Sequence, residues 1–387
     1  MTGQKISVVL VGIGGYGELY LSALLDELRG SQCHIVGVVD PKPENCSRLD
    51  DLSSLGVPLF TTLDEFYGRA RADLAVLSSP IHCHVDHTCA ALANGSHVLV
   101  EKPAAASTSD VDRMIAARDR AGLIVAVGFQ WSFSRSILEL KRDIMSGRFG
   151  APRTARSLAL WPRTEGYYAR NDWAGRKRDA GGRWILDSPA NNAMAHFLHN
   201  LLFLLGEKLD RSAIPGGITA HLARANDIEM FDTIGARVFL ERGVELLFLA
   251  SHAIARQETC EPMFCLEFDE ALIEFPGDNA PITARLNNGT TVAYDSPNAT
   301  PQSQKLWDSI DAITRTCDLP CGLETARPHT QCIEMIEQAG TSVVEFDTTA
   351  IQQTDTNDGQ LRWVPGLAAK LRQAYSDGVL PELTDVR

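Results

Sequence analysis

Three glycines and one acidic residue near the start of the sequence have the types and spacing of a phosphate-binding turn. Gly12, Gly14 and Gly17 form a Gly-x-Gly-x-x-Gly pattern, and Asp40 ends the next strand-like run. The first glycine permits a tight turn, the second lets the backbone approach a pyrophosphate, and the third lets a helix pack closely on a strand. A carboxylate at the Asp40 position accepts hydrogen bonds from ribose hydroxyls and repels a 2′-phosphate. The pattern therefore predicts a site for NAD in preference to NADP, formed by Gly12, Ile13, Gly14, Gly15, Tyr16, Gly17 and Asp40.

Two short motifs in the same half of the chain carry groups that could act on a substrate. Ser79-Pro80 follows one strand-like run, and Glu101-Lys102-Pro103 follows the next. An ammonium such as that of Lys102, placed beside a reacting hydroxyl, stabilises the alkoxide charge that develops there. With the glycine pattern, these motifs make the chain resemble the Gfo/Idh/MocA dehydrogenases, over roughly Lys5 to Gly206.

The resemblance implies a reaction and a set of roles. Members of that family mostly oxidise or reduce a hydroxyl carbon of sugars, inositols and related polyols with NAD(P). The resemblance places Lys102 where nicotinamide and substrate meet. It also implies that the chain forms a homodimer or homotetramer through the sheet of its second domain. The cofactor contacts that we expect from these motifs are Ser79, Pro80, His84, Glu101 and Lys102.

Three closely spaced histidines, His82, His84 and His87, suggest a zinc site, because His-x-His recurs at such sites. No acidic or cysteine residue with the spacing needed to complete the site lies nearby in the sequence. We therefore expect no metal here. His84 is expected either to lie near the cofactor or to cap the helix that follows.

The sequence departs from the family at one important position. Family members carry an Asp and, four residues later, a His on a helix that ends in an apolar run and a glycine. Counting back from Gly206 places His196 at the family's His, so that Asn192 stands where the Asp belongs. Asp187 is displaced towards the N-terminus, from where it could fold back into the family Asp's place.

Capping signals predict a helix over 190–205. Ser188-Pro189 has the form of an N-cap followed by proline at the first helical position. The helical repeat then brings several polar side chains to one face. That face carries Asn192, His196 and Asn200, with His199 on its flank.

The best candidate for the general base is His196, because an imidazole with a pKa near 6.5 suits proton removal from an alcohol. The Asn192 amide can orient a hydroxyl or the imidazole but cannot take a proton. We therefore predict the catalytic set Lys102, His196, Asn192 and Asp187.

A segment from about 161 to 184 is rich in aromatic and arginine residues. Aromatic faces stack on the C–H faces of a sugar, and guanidinium or amide groups bind its hydroxyls. The arginines could instead bind the carboxylate of an acidic sugar. The predicted substrate contacts are Trp161, Arg163, Tyr168, Trp173 and His199.

The elements that must position these residues follow two patterns. Up to about Phe129, continuous apolar runs such as Ile6–Val11 and His97–Val100 alternate with helical patterns. That alternation predicts an α/β domain with a doubly wound parallel sheet of the Rossmann type. The later runs predict an α+β domain with a mostly antiparallel open sheet. We place the domains at 1–128 and 129–387, with C-terminal helices able to pack back on the first.

Composition and charge exclude several classes of protein. The chain has 387 residues and a net charge of −13, which disfavours nucleic acid and anionic membranes as partners. No apolar run is long enough to cross a membrane. The N-terminal residues lead directly into a strand-like run, so we expect no signal peptide and a cytoplasmic protein.

These features predict an oxidoreductase that transfers a hydride between NAD and a hydroxyl carbon of a sugar, sugar acid or polyol. Two alternatives stay open. One is an NAD-retaining lyase or glycosidase that oxidises a sugar transiently and eliminates a group. The other is a sensor that binds NAD or a sugar without catalysis, since the glycine pattern alone requires no chemistry.

Overall fold

Two units make up the protein, and each is assembled from two separate stretches of chain. The computed structural model describes residues 5–315 and 318–383. The first unit joins the residues up to Phe133 to Pro301–Arg327. The second unit joins Ser134–Thr300 to the residues from Pro328 onwards.

Helices and strands occur along the whole chain. The helices are α1 (Gly17–Asp26), α2 (Leu49–Ser54), α3 (Leu63–Arg69), α4 (His84–Ala93), α5 (Thr108–Ala121), α6 (Arg135–Met145), α7 (Glu165–Ala169), α8 (Ala195–Leu204), α9 (Gln304–Arg315), α10 (Leu323–Gln338) and α11 (Leu367–Asp377). The strands are β1 (Ile6–Val11), β2 (Cys33–Val39), β3 (Leu59–Phe60), β4 (Leu74–Leu77), β5 (His97–Val100), β6 (Val125–Val127), β7 (Pro152–Leu160), β8 (Pro215–Arg224), β9 (Thr233–Leu240), β10 (Glu245–Ser251), β11 (Cys260–Phe268), β12 (Ala271–Phe275), β13 (Ile282–Leu286), β14 (Thr291–Tyr294), β15 (Val343–Glu345), β16 (Gln352–Thr356) and β17 (Gly359–Trp363). Among the described residues, none of the helices combines the length and apolar character needed to cross a bilayer.

A parallel sheet forms the centre of the first unit. Its strands in the described chain follow the order β3-β2-β1-β4-β5-β6. Every residue of β4 is buried, which explains why its sequence is a continuous apolar run rather than an alternating one. The strand order reverses between β1 and β4, and α/β sheets bind ligands at such a switch point.

The second unit is built on a mixed sheet. Its strands, within the described residues, follow the order β14-β13-β12-β11-β7-β10-β9-β8-β15. The pairs β7–β10 and β8–β15 are parallel, and the other neighbours are antiparallel. Leu158 and Leu249 on this sheet pack with Leu367 and Leu371 of α11 in one buried cluster. The two sheets confirm the fold class that the sequence predicts.

Helix α9 brings a buried positive charge into the first unit. Lys305 has no exposed surface, and its Nζ lies 2.5 Å from Glu101 Oε1 and 3.4 Å from Gly128 O. Burial alone raises the pKa of the Glu101 carboxyl, but the Lys305 ammonium and the hydrogen bonds from Lys305 and Tyr20 make the net shift downward. The carboxylate and the ammonium therefore form an ion pair inside the fold.

Replacing Lys305 with methionine should make folding stability depend on pH. Without the ammonium, burial raises the Glu101 pKa above its value in the unfolded chain. Such a group stabilises the fold below its unfolded pKa, and this contribution is lost as pH rises through the folded pKa. We expect Lys305→Met to be less stable than the parent by about 3–5 kcal/mol near neutral pH and to regain part of the loss near about pH 5.

Urea unfolding between about pH 5 and pH 8 measures this effect. The other titratable groups near the pair are Tyr16, Tyr20, His84, Lys102 and Cys321, which both proteins retain. Glu101→Gln/Lys305→Met, which lacks both charges, is the control and should show no such pH dependence. A Lys305→Met variant whose stability is the same across this range would contradict the buried ion pair.

Candidate active site

The loops that follow β1, β4 and β5 emerge side by side, because these strands are parallel neighbours. The glycine turn follows β1, Ser79-Pro80 follows β4, and Lys102 follows β5. Motifs from three separate parts of the sequence therefore lie at one edge of the first sheet. This is the carboxyl edge at the switch point, where sheets of this kind bind ligands.

The glycine turn contains one glycine that the protein's own packing does not require. Gly12 has φ +80°, and a Cβ on Gly17 would lie 2.0 Å from Gly12 O, so both positions exclude a side chain. A Cβ on Gly14 would approach nothing closer than Asn45 Cβ at 3.5 Å, an ordinary contact. Glycine at position 14 therefore fits a ligand that approaches the backbone, as a pyrophosphate does.

The Asp40 carboxylate is fixed beside the glycine turn by two backbone donors. Ile13 N donates to Oδ2 at 2.9 Å, and Lys42 N donates to Oδ1 at 2.8 Å. The carboxylate thus lies at the end of β2, next to the turn after β1. A ribose whose hydroxyls need acceptors fits this position.

Contacts of the His84 side chain connect the loops after β4 and β5. Its Nδ1 lies 2.8 Å from Pro103 O, and its Nε2 lies 2.8 Å from Ser79 O. Burial lowers the His84 pKa, and a neutral ring has one N–H, which donates to only one of the two carbonyls at a time. Both nitrogens face protein atoms, and His84 holds the Lys102 loop as well as beginning α4.

No group of three or more metal-binding side chains with suitable geometry occurs within 5–315 and 318–383. Of the three clustered histidines, His84 has its ring nitrogens against carbonyl oxygens, and His87 Nδ1 lies 3.0 Å from Ser79 Oγ. These contacts involve both ring nitrogens of His84 and one ring nitrogen of His87.

The Glu101 carboxylate is buried and hydrogen-bonded to other groups of the protein. Its carboxylate accepts hydrogen bonds from Lys305 Nζ, from the Tyr20 hydroxyl and, at 3.1 Å, from Lys102 N. Neither Lys305 nor Tyr20 was predicted from the sequence as a partner of Glu101. Neither carries a motif, and Lys305 lies 204 positions after Glu101.

In the second unit, helix α8 is shorter than the predicted helix over 190–205. The prediction is wrong at the N-terminal end, because Met194 N donates to Pro189 O at 2.9 Å. That bond closes a wider turn than an α-helical one, which interrupts the helical register. Asn192 therefore lies in the turn before the helix and does not share a helical face with His196.

Asp187 and Asn192 lie in direct contact. Asn192 Nδ2 donates to Asp187 Oδ1 at 2.7 Å, and Gly175 N donates to Asp187 Oδ2 at 2.6 Å. Leu186, just before, has φ +53°, a left-handed conformation that leucine rarely adopts. Such strain concentrates at functional sites, and here it directs the buried Asp187 carboxylate towards Asn192.

The two histidines of α8 differ in their surroundings. His199 is 1% exposed, its ring stacks on Phe203 at 6.0 Å, and His329 lies 6.5 Å from it. Burial, with the nearby His329 and Lys141, lowers the His199 pKa, so this ring stays neutral. His196 lies at the start of the helix and retains 9% exposure.

The aromatic and arginine segment forms a layer in which aromatic rings meet edge-on and guanidinium groups lie over ring faces. The Arg163 guanidinium lies 4.7 Å from the Tyr167 ring, and Trp161 packs edge-on against Phe197 at 5.4 Å. Two more of the predicted residues, Tyr168 and Trp173, extend this layer. Tyr168 meets Tyr167 edge-on at 5.2 Å, and Trp173 lies 5.3 Å from the Arg170 guanidinium.

His252 belongs to this layer and was not identified from the sequence. Burial and the Arg163 charge lower its pKa to about 3, and its Nδ1 lies 2.6 Å from Trp161 O. Nothing in the local sequence signals this role, because β10 brings His252 next to the residue after β7 through sheet pairing.

Comparison with known proteins adds independent information. Residues 6–129 match the family described as "Oxidoreductase family, NAD-binding Rossmann fold", which is Gfo/Idh/MocA. An inositol 2-dehydrogenase from Klebsiella pneumoniae is 26% identical over 205 residues, 53% of this chain and 56% of that protein. A 2,7-anhydro-N-acetylneuraminate hydratase from Mediterraneibacter gnavus is 26% identical over 225 residues, 57% of this chain and 55% of that protein. The chain thus spans about half the length of these curated relatives.

Solved structures share the fold. The WlbA dehydrogenase from Bordetella pertussis, solved with NADH and UDP-GlcNAcA, has a TM-score of 0.70 and 22% identity, and the match covers 87% of this chain and 96% of that one. The glycine turn, Asp40 and the Glu101-Lys102-Pro103 loop meet at one sheet edge, within the matched residues 6–129. This part of the chain is similar to the NAD-binding Rossmann domain of the Gfo/Idh/MocA oxidoreductases.

Proposed function

We propose that the protein is an NAD-dependent oxidoreductase that acts on a CH–OH group of a sugar, sugar acid or polyol. The observation that carries the proposal is the meeting of the glycine turn, Asp40 and Lys102 at the carboxyl edge of β1, β4 and β5. The dehydrogenase relatives and the aromatic layer of the second unit support a carbohydrate-like substrate. A panel of sugars, sugar acids and inositols, followed by NADH absorbance and product mass, tests it.

Each residue has a defined task in this reaction. Bound NAD supplies the hydride acceptor or donor. The Lys102 ammonium stabilises negative charge on the substrate oxygen, and His84 keeps its loop in place. His196 removes the hydroxyl proton during oxidation and returns it during reduction. Asp187 holds the Asn192 amide, which leaves the amide oxygen to orient a hydroxyl.

His196→Ala should lower kcat by roughly 10²–10⁴-fold, the usual contribution of a positioned acid–base group, and should leave NADH affinity unchanged. Lys102→Ala should lower kcat as well, because it removes charge stabilisation. Asn192→Ala should have a smaller effect, since an orienting amide transfers no proton. Steady-state kinetics and NADH calorimetry measure both quantities.

The histidine control is His221→Ala, whose partly exposed ring lies 2.8 Å from Pro381 O in the second unit and should not affect kcat. A different pair of results would move the proton-transfer role to Asp187. In that case Asp187→Asn would lower kcat as much as any other variant, and His196→Ala would leave kcat almost unchanged.

Gly14→Val should abolish NADH binding and leave the melting temperature close to that of the parent, because its side chain would fill ligand space while its Cβ would lie no closer than 3.5 Å to a protein atom. Gly17→Ala is the matched comparison and should unfold the protein at a lower temperature, because its Cβ would lie 2.0 Å from Gly12 O. Calorimetry and thermal melting distinguish the two effects. A Gly14→Val variant with the parent's NADH affinity would exclude a pyrophosphate at this turn.

The parent protein should bind NADH more tightly than NADPH, and Asp40→Ala should narrow the difference by removing the repulsion of the 2′-phosphate. The variant should also bind NADH more weakly, since the ribose hydroxyls lose an acceptor. Calorimetric titration of both dinucleotides into both proteins measures the change. Equal affinities in the parent would contradict the role of Asp40.

The NAD-retaining lyase is the second candidate. Two observations favour it: the exchange of the family Asp for Asn192, and a hydratase among the relatives. Net NADH release separates the candidates. A dehydrogenase forms NADH in step with product, a lyase forms product without it, and a sensor forms neither.

We propose that the protein is cytoplasmic and forms a homo-oligomer. A reducing cytoplasm fits cysteines that form no disulfide within the described residues, among them Cys33, Cys46, Cys89, Cys260, Cys265 and Cys332. The resemblance to the Gfo/Idh/MocA family supports a homodimer or homotetramer.

A further inference from the structure

The Lys305 ammonium contacts three separate loops of the first unit. Its Nζ donates to Glu101 Oε1 at 2.5 Å, to the Tyr16 hydroxyl at 2.9 Å and to Gly128 O at 3.4 Å. A lysine ammonium has three N–H donors, so these acceptors use its full capacity. Its side chain is completely buried, and water does not compete for these donors.

Each acceptor has a different position at the sheet edge. Tyr16 belongs to the glycine turn after β1, Glu101 follows β5, and Gly128 follows β6. The Tyr16 ring also lies 4.5 Å from Lys305 Nζ, close enough for a cation–π contact. One cation therefore holds the turn that binds phosphate and the loop that carries Lys102.

The connection to Lys102 passes through the Glu101 carboxylate. Lys305 binds one carboxylate oxygen, and the other accepts a hydrogen bond from Lys102 N at 3.1 Å. A Cβ on Gly128 would lie 2.7 Å from Glu101 Oε1, so the backbone at 128 closes the space behind the carboxylate. The carboxylate is thus fixed in a position that holds the Lys102 backbone.

Stability alone does not account for this arrangement. A buried ion pair can often be replaced by apolar side chains without loss of stability, because two desolvated charges gain little net energy from each other. Its best-supported benefit is a single defined conformation. Here the defined positions are those of Tyr16 and the Lys102 backbone.

We propose that Lys305 is a positioning residue that joins the glycine turn to the Lys102 loop, so that both loops hold their shape for the dinucleotide only when Lys305 is present. This inference rests on the proposed function, because it takes NAD as the ligand of the turn. It goes beyond that function by assigning a role to a residue of Pro301–Arg327, the second stretch of chain in the first unit.

A double-mutant cycle on NADH affinity tests the inference. Calorimetry is carried out on the parent, Tyr16→Phe, Lys305→Met and the variant with both changes. Lys305→Met should weaken NADH binding about tenfold, within the usual range of coupling between sites. Tyr16→Phe should weaken binding in the parent but have almost no effect when Lys305 is already replaced, because the hydroxyl acts through the ammonium.

Two further variants separate positioning from stability. Glu101→Gln/Lys305→Met removes both buried charges and should recover most of the parent's melting temperature, yet it should still bind NADH weakly. The control is Arg29→Met, which breaks a 2.6 Å ion pair between Arg29 and Asp311, a residue of the same helix α9 as Lys305. This variant should keep the parent's NADH affinity. Amide exchange at Lys102 should be faster in Lys305→Met, while exchange at Val98 within β5 is unchanged.

Three results would overturn the inference. One is parent-like NADH affinity in Lys305→Met. Another is recovery of affinity together with melting temperature in Glu101→Gln/Lys305→Met, which would make the pair purely structural. The third is additive effects of the Tyr16 and Lys305 changes. A parent protein that binds no NADH would instead contradict the proposed function, and the inference with it.

Discussion

Because β1, β4 and β5 run parallel as neighbours, the loops at their carboxyl ends share one edge of the sheet. Backbone hydrogen bonds continue the pairing beyond the strands. Ser78 N donates to Val11 O at 2.7 Å, and Glu101 N donates to Leu77 O at 2.8 Å. The glycine turn and the Lys102 loop therefore reach the edge in fixed register. Everything proposed about cofactor binding depends on that register.

The same edge is held by groups outside its own motifs. His84 lies between two loop carbonyls. Lys305 belongs to Pro301–Arg327, the later stretch of chain in the first unit. Both contribute their effect by fixing backbone positions. With its loop fixed in this way, the Lys102 ammonium needs no further group to hold it in position. In the second unit, the strained backbone before Asp187 gives Asn192 a comparable support.

The sequence predicted the buried parallel strands best. The runs Ile6–Val11 and His97–Val100 match β1 and β5 at both ends, because strands covered on both faces are continuous apolar runs with sharp limits. The predicted start of α8 was wrong. Capping residues predict local backbone geometry, but they do not predict the contact between the side chains of Asp187 and Asn192. Lys305 could not be predicted, because a single lysine in a helix with one apolar face is usually solvated.

A crystal structure of the parent chain grown with NAD would test the central claim most directly. The account predicts the pyrophosphate on the backbone at Gly14, the adenosine ribose hydroxyls on the Asp40 carboxylate, and the nicotinamide ring beside the Lys102 ammonium. A dinucleotide bound away from the glycine turn would contradict the account. So would a nicotinamide ring that points away from Lys102.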